Sequence, residues 1–185
     1  MDGSSDPAAA PAPLLVTADL PADVFAWAEG LRRRHYPPER NRVRAHVTLF
    51  HALPPSVEGE LRRLLARHAA LPPPAAELTG IMKLGRGTAI DIASPELDSI
   101  HAELAHDLHG VLTPQDAARR RLHVTVQNKV TAAEAKALQA ELAAQFRKRS
   151  FAFAGLALHR WRGGLWEDAG RWPFRGAGAK PARGR

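Results

Sequence analysis

Two short stretches decide the fold: His46-Val47-Thr48-Leu49 and His123-Val124-Thr125-Val126. Both read His-apolar-Thr-apolar. In a strand, residues two apart project to the same face. His46 and Thr48 therefore point one way while Val47 and Leu49 point the other. His123 and Thr125 repeat the arrangement over Val124 and Val126. The first motif sits in a predicted strand from Val43 to Ala52, the second in one from Leu122 to Lys129. Each is soon followed by a residue suited to cap a helix, Ser56 and Thr131. A polar pair that recurs on two strands with apolar backs points to an internal duplication, two lobes contributing equivalent strands.

Working outward, strands and helices alternate. Leu14–Ala18 reads as a strand, and Pro21 opens a helix with Val24, Trp27, Ala28 and Leu31 at helical spacing, closed by the Arg32–Arg34 run and Pro37-Pro38. Ser56 precedes a helix with Val57, Leu61, Leu64, Leu65 and His68 on one face, broken by Pro72-Pro73-Pro74. Glu77–Leu84 and Thr88–Ala93 form a hairpin around Gly85-Arg86-Gly87. Ser94-Pro95 opens a third helix with Leu97, Ile100, Leu104 and Leu108 inward and Gly110 at its C-cap. Thr131-Ala-Ala-Glu134 is a capping box for a fourth, carrying Leu138, Leu142 and Phe146. Phe151–Leu158 alternates as a strand, and Arg160–Phe174 supplies one or two closing strands. Four helices and about seven strands that return in pairs give an α+β fold with mostly antiparallel sheet.

Composition limits the function classes. The 185 residues include no cysteine, which excludes disulfides, thiolate nucleophiles and Cys-based zinc sites. No apolar run approaches the roughly 20 residues that span a bilayer. Residues 1–13, rich in Ala and Pro without a basic n-region, read as a disordered leader and not a targeting signal. Residues 14–175 form the folded domain, residues 176–185 a loose basic tail, and the expected location is the cytoplasm. The net charge is +7, yet residues 160–185 hold seven basic and two acidic residues against 19 and 17 in the rest. The charge suggests an anionic partner without identifying it.

The motifs supply the chemistry. Across a groove, two imidazoles and two hydroxyls suit a phosphodiester. One neutral histidine takes a proton from the nucleophile, one protonated histidine gives a proton to the leaving oxygen, and the threonines hold the non-bridging oxygens. An unperturbed pKa of about 6.5 makes both histidine forms accessible near neutrality. No metal or cofactor is needed. The paired motifs resemble those of the 2H phosphoesterase superfamily, specifically the 2′-5′ RNA ligase-like (LigT-like) cyclic phosphodiesterases. The resemblance implies a bilobal fold of two pseudo-symmetric lobes with outer helices and a central groove. It also implies hydrolysis of RNA 2′,3′-cyclic phosphate to a 2′-phosphomonoester, or the related 2′-5′ ligation, on an RNA or nucleotide substrate with no membrane and no obligate protein partner. It assigns His46 and His123 as the acid/base pair and Thr48 and Thr125 as phosphate ligands, and leaves open which histidine is the base. The alternative from another class is a non-catalytic basic RNA-binding module whose H-x-T strands only hold phosphate.

Arg42 and Arg44 share a predicted strand face with His46, Arg121 with His123, and Lys129 lies in phase beyond it; all four are candidate substrate ligands. Tyr36, Phe50, Trp161, Trp166 and Trp172 are candidate stacking surfaces for a base, and Lys83 and Arg86 can reach the groove. His51 falls on the opposite face of a regular strand and reads as structural. His101, His106 and His109 miss the metal-binding helix spacing, since five residues on a helix turn about 140°, and read as a solvated face.

Overall fold

The two motif strands meet at the centre of one sheet. The computed structural model describes residues 12–118 and 121–177. Among them the strands are β1 (Leu14–Asp19), β2 (Val47–Leu53), β3 (Ala75–Lys83), β4 (Gly87–Ala93), β5 (His123–Asn128), β6 (Arg149–Ala152), β7 (Gly155–Arg162) and β8 (Leu165–Pro173). The helices are α1 (Ala22–His35), α2 (Glu58–Ala69), α3 (Pro95–Asp107), α4 (Pro114–Ala117) and α5 (Ala132–Gln145). The sheet runs β6-β3-β4-β5-β2-β1-β7-β8, and every pairing is antiparallel.

The order carries the duplication. Each half has four strands, and the halves meet where β2 and β5 share the single register pair Val47↔Val124. In one half β1-α1-β2-α2 leads outward, in the other β4-α3-β5-α5, each motif strand lying innermost. Val47, Leu49, Val124 and Val126 are all fully buried. Burying an aliphatic side chain of this size contributes about 1.5–3 kcal/mol. The apolar alternation thus anchors the backs of both motifs in the core and leaves their polar faces outward.

Several local expectations shift. The capping box holds: Glu134 N–H donates to Thr131 Oγ1 at 3.2 Å and Thr131 N–H to Glu134 Oε2 at 2.8 Å. Ser94 accepts from Leu97 N–H as expected. Ser56 does not cap, because Pro55–Val57 is a 3-10 turn and α2 starts after Val57 with no side-chain cap. Gly110 lies in a 3-10 turn past the Leu108 cap of α3. The expected strand Phe151–Leu158 is two, β6 pairing with β3 and β7 with β1. At the hairpin, Gly85 takes φ +70°, and a Cβ on Gly87 would lie 2.4 Å from the Gln127 carbonyl oxygen, so both positions need glycine. Arg175 and Gly176 N–H groups bond the Ala69 and Leu71 carbonyls, which extends the ordered path to the first residue of the expected tail. The rest of that tail from residue 178, and the leader through residue 11, lie outside the described residues. No described helix is long and apolar enough to cross a membrane.

Candidate active site

The Val47↔Val124 pair fixes how the motifs face each other. Continuing that antiparallel register by one residue each way sets His46 beside Thr125 and Thr48 beside His123. The two histidines then occupy a diagonal, a separation of about 7–8 Å in an antiparallel pair. All four side chains are half-buried and line one groove of about 360 Å³.

Each imidazole is oriented in the same way. His46 Nδ1 lies 2.6 Å from the Arg44 carbonyl oxygen, and His123 Nδ1 lies 2.8 Å from the Arg121 carbonyl oxygen. A carbonyl only accepts, so in both rings Nδ1–H donates and Nε2 is left for a ligand. Two halves of the chain have thus built the same main-chain clamp two residues before each histidine. Burial pulls the His46 pKa down to about 4. The positive fields of Arg32, His159 and His51 add to that effect, and the hydrogen bond to the Arg44 carbonyl opposes it. His46 is therefore neutral at pH 7, with an open lone pair on Nε2.

The flanking arginines are placed differently from expectation. β2 begins only at Val47, so Arg42 and Arg44 lie on an irregular loop and the rule of alternate residues does not govern them. Arg42 still borders the groove, with Nη1 3.4 Å from the Gly164 carbonyl oxygen. Arg44 stacks its guanidinium 4.4 Å over the Phe25 ring. It lines an adjoining cavity of about 620 Å³ that shares His46, Arg42 and Trp166 with the groove. Arg121 pairs with Asp91 at 2.6 Å and does not line the groove. Lys129 follows the end of β5 with φ +58°, outside the strand. It lines a neighbouring recess with Arg40, Arg86 and Asn128. Among the aromatic candidates, Tyr36, Trp161 and Trp166 line the groove. Phe50 is fully buried, and Trp172 packs against the core near Arg62.

Two groove residues were not legible as such. His51 lines the groove because β2 is irregular against β1: Thr17 faces Thr48 and Val16 faces Phe50, so the alternation breaks after Leu49. Beyond Val47, β2 has no register partner in β5, and the buried Asp116 carboxylate takes its place. His51 and Ala52 N–H groups donate to Asp116 at 2.8 and 3.1 Å. The signal for this element was Thr113-Pro114-Gln115-Asp116, a cap residue, a helix-opening proline and an acid; Thr113 does cap α4. Asp116→Ala strands those buried donors and is expected to cost about 2–4 kcal/mol in urea denaturation; a loss under about 1 kcal/mol would contradict the account.

The second is Arg32, read only as the start of the basic run that closes the first helix and found 4 % exposed. Val24, Ala28 and Arg32 follow one another at four-residue intervals, which placed it on the buried stripe. His101 is also not on a solvated face; it stacks on Phe50 with centroids 4.7 Å apart. A third arrangement, Thr17 Oγ1 to His159 Nε2 at 3.0 Å and His159 Nδ1 to Asp168 at 2.9 Å, has the order of a nucleophile triad. Thr17 is 0 % exposed, and this chain of contacts ties β1 to the β7–β8 hairpin.

Residues 20–165 match the model of the 2′-5′ RNA ligase superfamily, a stretch that includes both motifs and runs from α1 through β7. The chain belongs to this superfamily. Both H-x-T motifs lie within the matched residues. The fold agrees with solved structures. TT0787 of Thermus thermophilus superposes with a TM-score of 0.58 at 18% identity, covering 89% of this chain and 98% of that one. E. coli LigT complexed with 3′-AMP gives a TM-score of 0.54 at 19% identity, with the same coverages. A protein described as a phosphoesterase gives 0.54 at 21% identity, covering 89% and 99%. No curated protein sequence matches.

Proposed function

We propose that this superfamily member hydrolyses RNA 2′,3′-cyclic phosphate ends to 2′-phosphomonoesters, and that a 5′ hydroxyl in place of water lets the same groups form a 2′-5′ linkage. The observation that carries it is the pair of H-x-T strands meeting at Val47↔Val124, both Nδ1 atoms held by the main chain and both Nε2 atoms free to act. His46, neutral by burial, is the base, and His123 the acid. Water attacks phosphorus in line with the 3′ oxygen while His46 Nε2 takes its proton. The bond from phosphorus to the 3′ oxygen breaks, and protonated His123 gives that oxygen its Nε2 proton. Thr48 and Thr125 hydroxyls donate to the non-bridging oxygens. Each proton transfer contributes about 10²–10⁴ in rate. Tyr36, Trp161 and Trp166 offer faces to the base attached to the reacting ribose.

Incubating the protein with an oligonucleotide ending in a 2′,3′-cyclic phosphate, in the presence of EDTA, tests this reading. The expected product is the 2′-phosphate end, formed undiminished by the chelator. An unchanged cyclic end together with salt-sensitive binding would instead identify a non-catalytic RNA-binding module.

A further inference from the structure

The seam between the halves is thin. β2 and β5 share one register pair, yet the reaction requires groups on both strands to hold a fixed separation. One buried side chain crosses that seam. Arg32, on α1, donates Nη1–H to the Thr125 carbonyl oxygen on β5 at 2.6 Å. Its Nη2 donates to the Val43 carbonyl oxygen at 2.7 Å, in the loop leading to His46, and to Asn41 Oδ1 at 2.6 Å. The guanidinium is stacked 4.4 Å over the Tyr36 ring and lines the groove beside all four motif side chains. A planar fork presents several donors in fixed directions, and that rigidity suits one group to holding two backbone segments.

We infer that Arg32 is a positioning residue, resting on the proposed reaction: its fork fixes the second motif strand against the loop of the first, and its buried charge favours the neutral form of the base. The first role follows from the acceptors. Two belong to the backbone of the motif regions, one at Thr125 itself and one three residues before His46. The second follows from location. A cation beside an imidazole in a partly dry groove disfavours a second positive charge on the ring. Burial lowers the Arg32 pKa, while Tyr36 and Glu29, at the end of its helix and on it, oppose that shift. His46 is faced by Arg32 from α1, His51 from β2 and His159 from β7, and Arg40, Arg42 and His123 line the same groove. Among these, Arg32 alone combines deep burial with bonds to both motif regions.

Two variants separate the roles. Arg32→Met removes fork and charge, and kcat should fall about 10- to 100-fold, the cost of misplaced catalytic groups, with KM changed less than about threefold. Arg32→Lys keeps the charge and loses the planar fork, so kcat should again fall while the base keeps its titration. NMR titration of the histidine rings reads the charge without turnover. In Arg32→Met the His46 signal should titrate higher, toward the ordinary histidine range, and in Arg32→Lys it should stay near wild type. Wild-type kcat in Arg32→Met, or a loss that only tracks the unfolded fraction, would overturn the positioning role. An unmoved His46 titration in Arg32→Met would overturn the electrostatic one. If Arg32→Met does not fold, Asn41→Ala decides: removing one anchor of the fork should lower kcat several-fold, and an unchanged kcat refutes the proposal. If wild type itself forms no product, the catalytic reading fails, while the ring titration still reports on Arg32.

Discussion

Replacing His46 or His123 by alanine should lower kcat by about 10²–10⁴ while leaving the fold in place. The chemical loss is large because each imidazole moves a proton that water moves poorly. The structural loss is small because both rings are half-buried and, among the described residues, bond only the carbonyl two residues earlier. The valines behind them, not the histidines, hold the strands in the core. The double variant should be little worse than the weaker single, since an acid and a base that act in one step fail together. Product formation measured beside a circular dichroism melt checks both halves of the statement. Full activity in both single variants would refute the mechanism.

The second large effect is on pH. kcat/KM reports groups of the free enzyme. With His46 as base and its pKa lowered to about 4, the base stays neutral as pH falls from 7 to 5. An unperturbed histidine near 6.5 would instead be almost fully protonated at pH 5, and kcat/KM would drop about 30-fold on that limb. The expected profile is therefore flat on the acid side until close to pH 4. An acid limb centred near 6.5 would show that His46 is not the base. Stability moves separately and its sign is fixed. Below pH 6.5 the unfolded chain binds a proton at this position that the folded chain refuses until about pH 4. Folded stability therefore declines as pH falls through that window, and buried His68 and His159, lowered by the same cause, add to the decline. The rate measurements need a melt at each pH beside them.

Much of this was legible locally. A strand repeats every two residues, so His-Val-Thr-Leu announces its own two faces, and Thr131-Ala-Ala-Glu134 announces its own cap. Where the local rule broke, a distant partner was responsible. The strand leading to His46 was expected to start at Val43, which put Arg42 and Arg44 in phase with His46. The backbone there is instead held by Arg32 at the Val43 carbonyl and by Glu29, which accepts the Ala45 N–H at 2.7 Å. His51 was assigned to the wrong face because regular alternation was extended through an irregularity. Asp116, many positions along the chain, satisfies the amides that the irregularity frees. Arg121 was counted toward the groove, but Asp91, the register partner of His123, pairs with it.

The sequence by itself determined that this chain has two equivalent strands, each with an apolar back and an imidazole and hydroxyl in front, within an α+β fold of the 2H type. Those properties depend on side chains two to four residues apart, where backbone geometry dictates the outcome. Only the tertiary structure decided that Val47 meets Val124, that the two histidines lie on a diagonal, and that a buried arginine spans the seam. Register between strands so far apart in the chain is a contest among many non-local pairings. It is settled by which apolar faces share one core, and no short window of sequence contains that competition.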